Sequence, residues 1–359
     1  MNLLLYNLIG KKPAGFGLEI EDRSIKAFML EKNRKGKCRI LSCGMRRLKK
    51  GIVQDGHVLN VQLLAAEIKE LLKTTKPNPI KIRSVVFSVP ENKSFIRTIT
   101  IPKMTREEAA EAVKWETEAN IPVTTDKVYL DWQVIGEGEN GNEVLVTAVP
   151  REIIDKYNEA MKQAGLDVLA AEVDVIATVR SLASGKDFPE NPVVVADLGE
   201  TLTSLAVSRN EVPYFTSTLL VGGNTFTDAL QKNLGVSYER AEELKIKYGL
   251  GKMREDDLLY KVYNPIVENI VEEIEKSIRF YEETINTKEK VQRIIMAGGG
   301  ALLHDLAEYL ALRLKKEVAI GDPVQDMILP GNFSKDIKKS LAPFATAIGL
   351  AERAINCDD

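Results

Sequence analysis

The chain has 359 residues, 44% of them apolar and 28% charged, with a formal net charge of −3. That length suits two lobes rather than one small domain, and the near-neutral balance carries no electrostatic footprint for nucleic acid. Two distant histidines and three sparse cysteines (Cys38, Cys43, Cys357) argue against a histidine-based catalytic apparatus, a metal set and a disulfide framework, and fit a reducing compartment.

No apolar run approaches the ~20 residues that span a bilayer. The opening MNLLLYN has no basic residue ahead of its apolar stretch, so it reads as a tail (residues 1–12) and not as a signal peptide. Gly15 to Leu30 then reads as strand, polar turn, strand, with Glu19 near the turn. Lys32 to Lys50 holds nine basic residues and no acid. Its plain reading is a solvated hairpin rim, and the alternative is a surface for anionic lipid or a partner. Gln62 to Lys73 is an amphipathic helix, broken by Pro77 and Pro79, and Lys81 to Val89 is a buried strand.

From Phe95 the texture changes. Ile99 to Pro102 is extended. Thr105-Arg-Glu-Glu108 is a capping box that starts a helix to about Asn120, stopped at Ile121-Pro122. Val128 to Val134 and Glu143 to Val149 form a hairpin across the Gly136–Gly141 loop. A helix from Arg151 ends at Gly165, and Val168 to Val173 is a strand. Residues 95–170 therefore read as a small inserted subdomain.

Asn191 to Val207 repeats the first motif: an apolar run into Asp197, the turn Leu198-Gly199-Glu200-Thr201, then a second apolar run. Glu19 falls on Asp197 and Glu21 on Gly199, an internal duplication. Gly199 lets backbone approach an anion, and the Thr201 and Thr203 hydroxyls can donate to phosphate. Asp197 would hold a hydrated magnesium ion. Next come a strand into Val221-Gly222-Gly223, a helix to Leu234, and a Ser237-capped helix with Glu242 and Lys245 on one face. Asn264-Pro265 reads as the start of a long helix with isoleucines at 266, 270, 274 and 278. Gln292 to Ala297 is a strand into Gly298-Gly299-Gly300, followed by a helix marked by Leu303, Leu306, Leu310 and Leu314. Glu317 to Ile320 is a strand, and Leu341 to Ile355 closes as a helix.

This order of acidic turn, glycine pair, Glu-x-x-Lys helix and triple glycine resembles the actin-like ATPase superfamily. Within it, the stretches FIRTITIPKMTREEAAEAVKWETEANIP, VYLDWQV, ADLGETLTSLAV and MAGGGALLHDL resemble the PilM family of type IV pilus assembly and, more distantly, FtsA. The resemblance runs from about Phe16 to Ile355. It implies an α/β, actin-like ATPase fold of two lobes with a duplicated core and an FtsA-like small inserted subdomain. The first lobe would hold residues 13–94, 171–192 and 336–359, the inserted subdomain 95–170, and the second lobe 193–335. It implies ATP and magnesium as ligands, with Glu19, Asp22 and Lys26 in the first phosphate turn and Asp197 on the magnesium side. Gly199, Thr201, Thr203, Gly222 and Gly223 would face phosphate, Glu242 and Lys245 the ribose and base, and Gly298 to Gly300 the adenosine.

As partners the resemblance implies the cytoplasmic N-terminal peptide of PilN, bound in a groove between the inserted subdomain and the first lobe, and other pilus proteins including the motor ATPases. The setting would be cytoplasmic, at the inner face of the membrane. The first turn departs from the family's Asp-Ile-Gly-Ser-Ser-Ser: here it is Glu19-Ile-Glu-Asp-Arg-Ser24. Each added carboxylate would repel polyphosphate by about 1 kcal/mol or more at short range. This implies weak or absent nucleotide binding and a scaffold role, at most a weak ATPase. MNLLLYN also resembles the docking segment of PilN, so self-docking is one expectation and a plain tail the other. A small-molecule kinase of the same superfamily and an FtsA-like membrane-tethered polymer are the competing functions. The first lacks a candidate base in this sequence, and the second a C-terminal amphipathic helix.

Overall fold

The structure is a computed structural model, and it describes residues 15–33, 36–120, 124–138, 141–183, 191–251, 257–285, 288–329 and 341–356. The tail with its docking motif and the Ile121-Pro122 stop lie outside these residues. The chain divides into two compact units, one of Met1–Ala177, Asp326–Gly331 and Thr346–Asp359, the other of Thr178–Gln325 and Asn332–Ala345.

The first unit opens with β1 (Phe16–Ile20), buried along its whole length, followed by β2 (Ser24–Lys32) and β3 (Cys38–Arg47). A short hairpin, β4 (Val53–Gln54) and β5 (His57–Val58), leads to helix α1 (Val61–Thr74). Asn60 caps α1 by accepting from Leu63 N, and its stripe of Leu64, Ile68, Leu71 and Leu72 is buried. Then come β6 (Ser84–Val89), β7 (Phe95–Ile101), α2 (Arg106–Asn120), β8 (Val128–Gly138), β9 (Gly141–Pro150), α3 (Arg151–Ala164) and β10 (Asp167–Val173), and the chain leaves this unit within α4 (Asp174–Ala183).

Five strands form one mixed sheet in the order β10-β6-β1-β2-β3. Apart from the β4–β5 pair, the other three form an antiparallel sheet, β7-β9-β8, whose apolar face (Ile101, Val144, Val146) packs on Ala109 and Val113 of α2. The capping box is present: Thr105 N donates to Glu108 Oε2 at 2.9 Å and Glu108 N to Thr105 Oγ1 at 3.3 Å. β10, read with the small subdomain, is instead the outer strand of the five-stranded sheet, paired parallel to β6. α3 packs on α1, and its Tyr157 stacks on Phe87 of β6 with ring centroids 5.9 Å apart.

The second unit is built on β11 (Val193–Leu198), β12 (Thr203–Arg209), β13 (Val212–Leu219), α5 (Gly223–Leu234), α6 (Tyr238–Tyr248), α7 (Leu258–Phe280), β14 (Arg293–Ala297), α8 (Leu306–Leu314) and β15 (Glu317–Ile320). Its sheet order is β13-β12-β11-β14-β15. In both units three antiparallel strands carry two further strands in parallel on the side of the first strand. The core is therefore duplicated. The last helix, α9 (Ala345–Asn356), packs Leu350 and Ala354 against Val86, Ala170 and Ala177 of the first unit.

Two helices differ from the sequence reading. α7 does not begin at Asn264-Pro265: Asp257 caps it, accepting from Leu259 N at 2.8 Å, and Pro265 lies inside the helix on an exposed face. Tyr263 and Val267, on either side of that proline, are buried, and burial of this face carries the helix through a residue that ordinarily breaks it. The sequence reading gives no helix at 174–183, where α4 lies. This helix follows β10 with no loop, and its buried Val175, Ala177 and Val179 continue the apolar texture of the strand before it.

Candidate functional site

The turn between β1 and β2 gathers Glu19, Asp22 and Lys26. Glu19 faces Lys26 across the pair, and Lys26 Nζ donates to Glu19 Oε1 at 2.8 Å. The same ammonium lies 2.8 Å from Glu21 Oε2. Burial alone would lower the Lys26 pKa, but the two carboxylates outweigh it and hold the amine firmly protonated. Burial likewise opposes ionisation of Glu21, yet Lys26 and the Ser24 hydroxyl draw its pKa below the ordinary carboxylate value. Asp22 points away from this pair. Its two oxygens accept from the backbone amides of Asp55 (2.7 Å) and Gly56 (3.0 Å), at the tip of the β4–β5 hairpin.

In the second unit, the end of β11 is the centre of a glycine-rich cluster. Gly298 has φ +79, and a Cβ there would lie 2.3 Å from Leu198 O and 2.4 Å from Asp197 Oδ1, so only glycine lets β14 turn beside β11. Gly300 lies against Leu198, and Gly222 lies against the backbone of Glu200 and Thr201. Gly223 N donates to Gly199 O and Asn224 N to Glu200 O, both at 2.9 Å, while Thr225 N donates to Gly222 O at 3.0 Å. The amides of Gly223 and Asn224 are thus spent on the neighbouring turn and that of Thr225 on Gly222, so that an anion at this place must be met by other donors. Thr201 and Gly299 are exposed. Thr203 is fully buried, and its hydroxyl donates to Val221 O at 2.7 Å.

Glu242 and Lys245 share one face of α6 and form an ion pair at 2.7 Å. Lys245 Nζ also donates to Gly223 O at 3.1 Å and to Thr227 Oγ1 at 2.9 Å, so the ammonium fastens α6 to the start of α5. The Thr227 hydroxyl donates to Glu242 Oε2 at 2.5 Å. Thr227 escaped the sequence reading, although its position four residues after Gly223 puts it on the same helical face. The Thr178 hydroxyl, on α4, donates to Asp197 Oδ2 at 3.4 Å.

The fit to a nucleotide differs between the two turns. In the second unit, half-buried Asp197 beside an exposed Thr201 and a turn free of side chains at Gly199 suits a hydrated cation next to phosphate oxygens. No group of three or more His, Cys, Asp or Glu side chains is gathered for direct chelation among the described residues. In the first unit, Lys26 is already held by two carboxylates, and the turn does not fit a polyphosphate.

The family model described as type IV pilus assembly protein PilM matches residues 17–355. The cell division protein FtsA of Streptococcus pneumoniae is 25% identical over 256 residues, covering 65% of this chain and 55% of that protein. FtsA of Neisseria meningitidis is 29% identical over 206 residues, covering 49% of this chain and 47% of that protein. The chain thus spans about half the length of the curated relatives it matches. Among solved structures, a PilM–PilN type IV pilus biogenesis complex matches with a TM-score of 0.83 at 27% identity, covering 96% of this chain and 99% of that one. MreB5 of Spiroplasma citri bound to AMPPNP matches with a TM-score of 0.55 at 13% identity, covering 94% of this chain and 95% of that one, and shows the shared actin-like fold. No helix among the described residues is long and apolar enough to cross a membrane. With the family model spanning nearly the whole sequence and the duplicated core matching in three dimensions, this chain belongs to the PilM family of type IV pilus assembly proteins.

Proposed function

We propose that this chain is a cytoplasmic scaffold of the type IV pilus machinery. It binds the short N-terminal segment of a PilN-type membrane protein and so links the membrane alignment complex to the motor side. The observation that carries this reading is the likeness, over 96% of the chain, to a structure solved as a PilM–PilN complex. We assign the peptide to the first unit, between the β7-β9-β8 sheet with α2 and the five-stranded sheet. Both outer strands of the small sheet, β7 and β8, offer edges to an extended segment.

A nucleotide, when bound, would supply a polyanion and a magnesium counter-charge. In the second unit Asp197 would hold the hydrated ion, Gly199 and Thr201 would face phosphate, and Gly298 to Gly300 would border the nucleoside. Thr203, Gly222, Gly223, Glu242 and Lys245 would build that turn from behind. We assign no hydrolytic step to these residues, and the scaffold role does not depend on one.

The test is a calorimetric titration of the full chain with a synthetic peptide of the PilN N-terminus encoded in the same genome, beside a scrambled peptide. Binding in the micromolar range, about −8 kcal/mol, is expected for the first alone. Equal or absent binding of the two peptides would overturn the reading.

A further inference from the structure

The hairpins that open the two units end in the same register. Ile20 pairs with Ile25 and Leu198 with Thr203, so that residues 21–24 and 199–202 make the two turns. Each turn is closed by the same bond, Glu21 N to Ser24 O and Gly199 N to Leu202 O, both at 2.9 Å. Position for position, Glu19 stands where Asp197 stands, Lys26 where Ser204 stands, and Glu21 where Gly199 stands.

That last exchange changes the chemistry. At Gly199 the turn carries no side chain. At Glu21 it carries a carboxylate that folds back onto Lys26, 2.8 Å away, and accepts from Ser24 Oγ at 2.5 Å. Glu19 holds the same ammonium at 2.8 Å. The side chains of Lys26 and Glu19 are 8% and 6% exposed, and that of Glu21 is 31% exposed at the mouth of the turn. One cation between two anions leaves this group with a net charge of −1. An arriving phosphate would find the Lys26 ammonium already committed and would have to displace Glu21 from a partly buried, hydrogen-bonded ion pair to reach it.

We propose that Glu21 is a built-in counter-anion that closes this turn to polyphosphate, and that it is the residue that decides whether the first unit accepts one. The proposal rests on the reading of nucleotide as the ligand of this fold. It is independent of peptide binding. Wild-type protein keeps Lys26 against its own carboxylates, and the scaffold works without a nucleotide on this side.

The test is calorimetric titration of the full chain with Mg-ATP and, separately, with inorganic pyrophosphate. The proteins are wild type, Glu21→Gly, Glu21→Gln and the double variant Glu21→Gly with Lys26→Met. Glu21→Gly copies the residue of the sister turn. It is expected to bind at least about ten-fold more tightly than wild type. Glu21→Gln should show the same direction, and the double variant should lose the gain. Glu21→Gln keeps the side chain's shape and decides the matter if the glycine variant fails to fold. Wild type binding as tightly as both single variants, no gain in either, or a gain that survives Lys26→Met would each overturn the proposal. Titrating the same variants with the PilN peptide separates the two readings, since peptide affinity should not move across the series.

Discussion

The guanidinium of Arg353, on α9, closes on the carboxylate of Glu172, on β10, whose side chain is only 2% exposed. The pair joins the last helix to the outer strand of the first unit's sheet. Taking away the guanidinium would remove an opposite charge from beside a buried carboxylate. Arg353→Met is therefore expected to lower the unfolding free energy by about 3 kcal/mol, and Glu172→Met in the same protein should restore much of it. Chemical denaturation of the single and double variants checks this. Equal stability of Arg353→Met and wild type would show that the ion pair is dispensable.

Pro265 has no amide hydrogen to offer the carbonyl of Lys261, yet it lies inside α7. Its exposed position means that little packing is lost if the ring is removed. Pro265→Ala should raise the stability of the protein by about 1 kcal/mol or more. A fall in the denaturation midpoint would mean that the proline sets a bend the core requires.

α7 marks the limit of what the sequence makes legible. Asp197, Gly199 and the matching turn at Glu19 could be read because alternating apolar runs and an acidic turn are local patterns. The Thr105–Glu108 box could be read for the same reason. The start of α7 could not. Asn-Pro is a good local start signal, and only the burial of Tyr263 and Val267 tells the chain to ignore it. The candidate site divides in the same way. The positions of its glycines follow from sequence, but the fate of each polar group does not. That Thr203 spends its hydroxyl on Val221 and Lys245 its ammonium on Gly223 depends on which loop lies opposite, and spacing along the chain carries no record of that.

Glu268 on α7 accepts from Arg313 Nε at 2.9 Å and from Tyr309 Oη at 2.7 Å. The Arg313 hydrogen bond is the main reason its carboxyl lies below the ordinary value of 4.5; partial burial works the other way, and Tyr309 adds to the lowering. A carboxylate with a depressed folded-state pKa stabilises fully above its unfolded value and loses that contribution as pH falls through the folded one. The thermal midpoints of wild type and Glu268→Gln should therefore differ most near neutrality and converge below about pH 4.5. A difference that stays constant down the acid range would exclude the ionised form as its source.

Lys245 fastens α6 to the first turn of α5 through Gly223 O and Thr227 Oγ1. Lys245→Met should speed amide exchange at residues 223–227 and leave α7 unchanged, as read by hydrogen–deuterium exchange with mass spectrometry. Faster exchange spread over the whole second unit would point instead to a general loss of stability.

Gly56 is held by both faces of its backbone: its N–H donates to Asp22, and its carbonyl accepts from the buried hydroxyl of Tyr157 on α3. It sits at φ +72, and a Cβ there would come within 2.6 Å of Pro90 Cγ. One residue thus acts as a coupling pin. The helix that leaves the small sheet and the acidic turn are thereby hydrogen-bonded to one and the same residue. A side chain at position 56 would press on Pro90 in a backbone conformation that suits glycine, and so would strain both connections at once. Strain applied to α3 from the small sheet would then have a weakened hydrogen-bonded route to the turn.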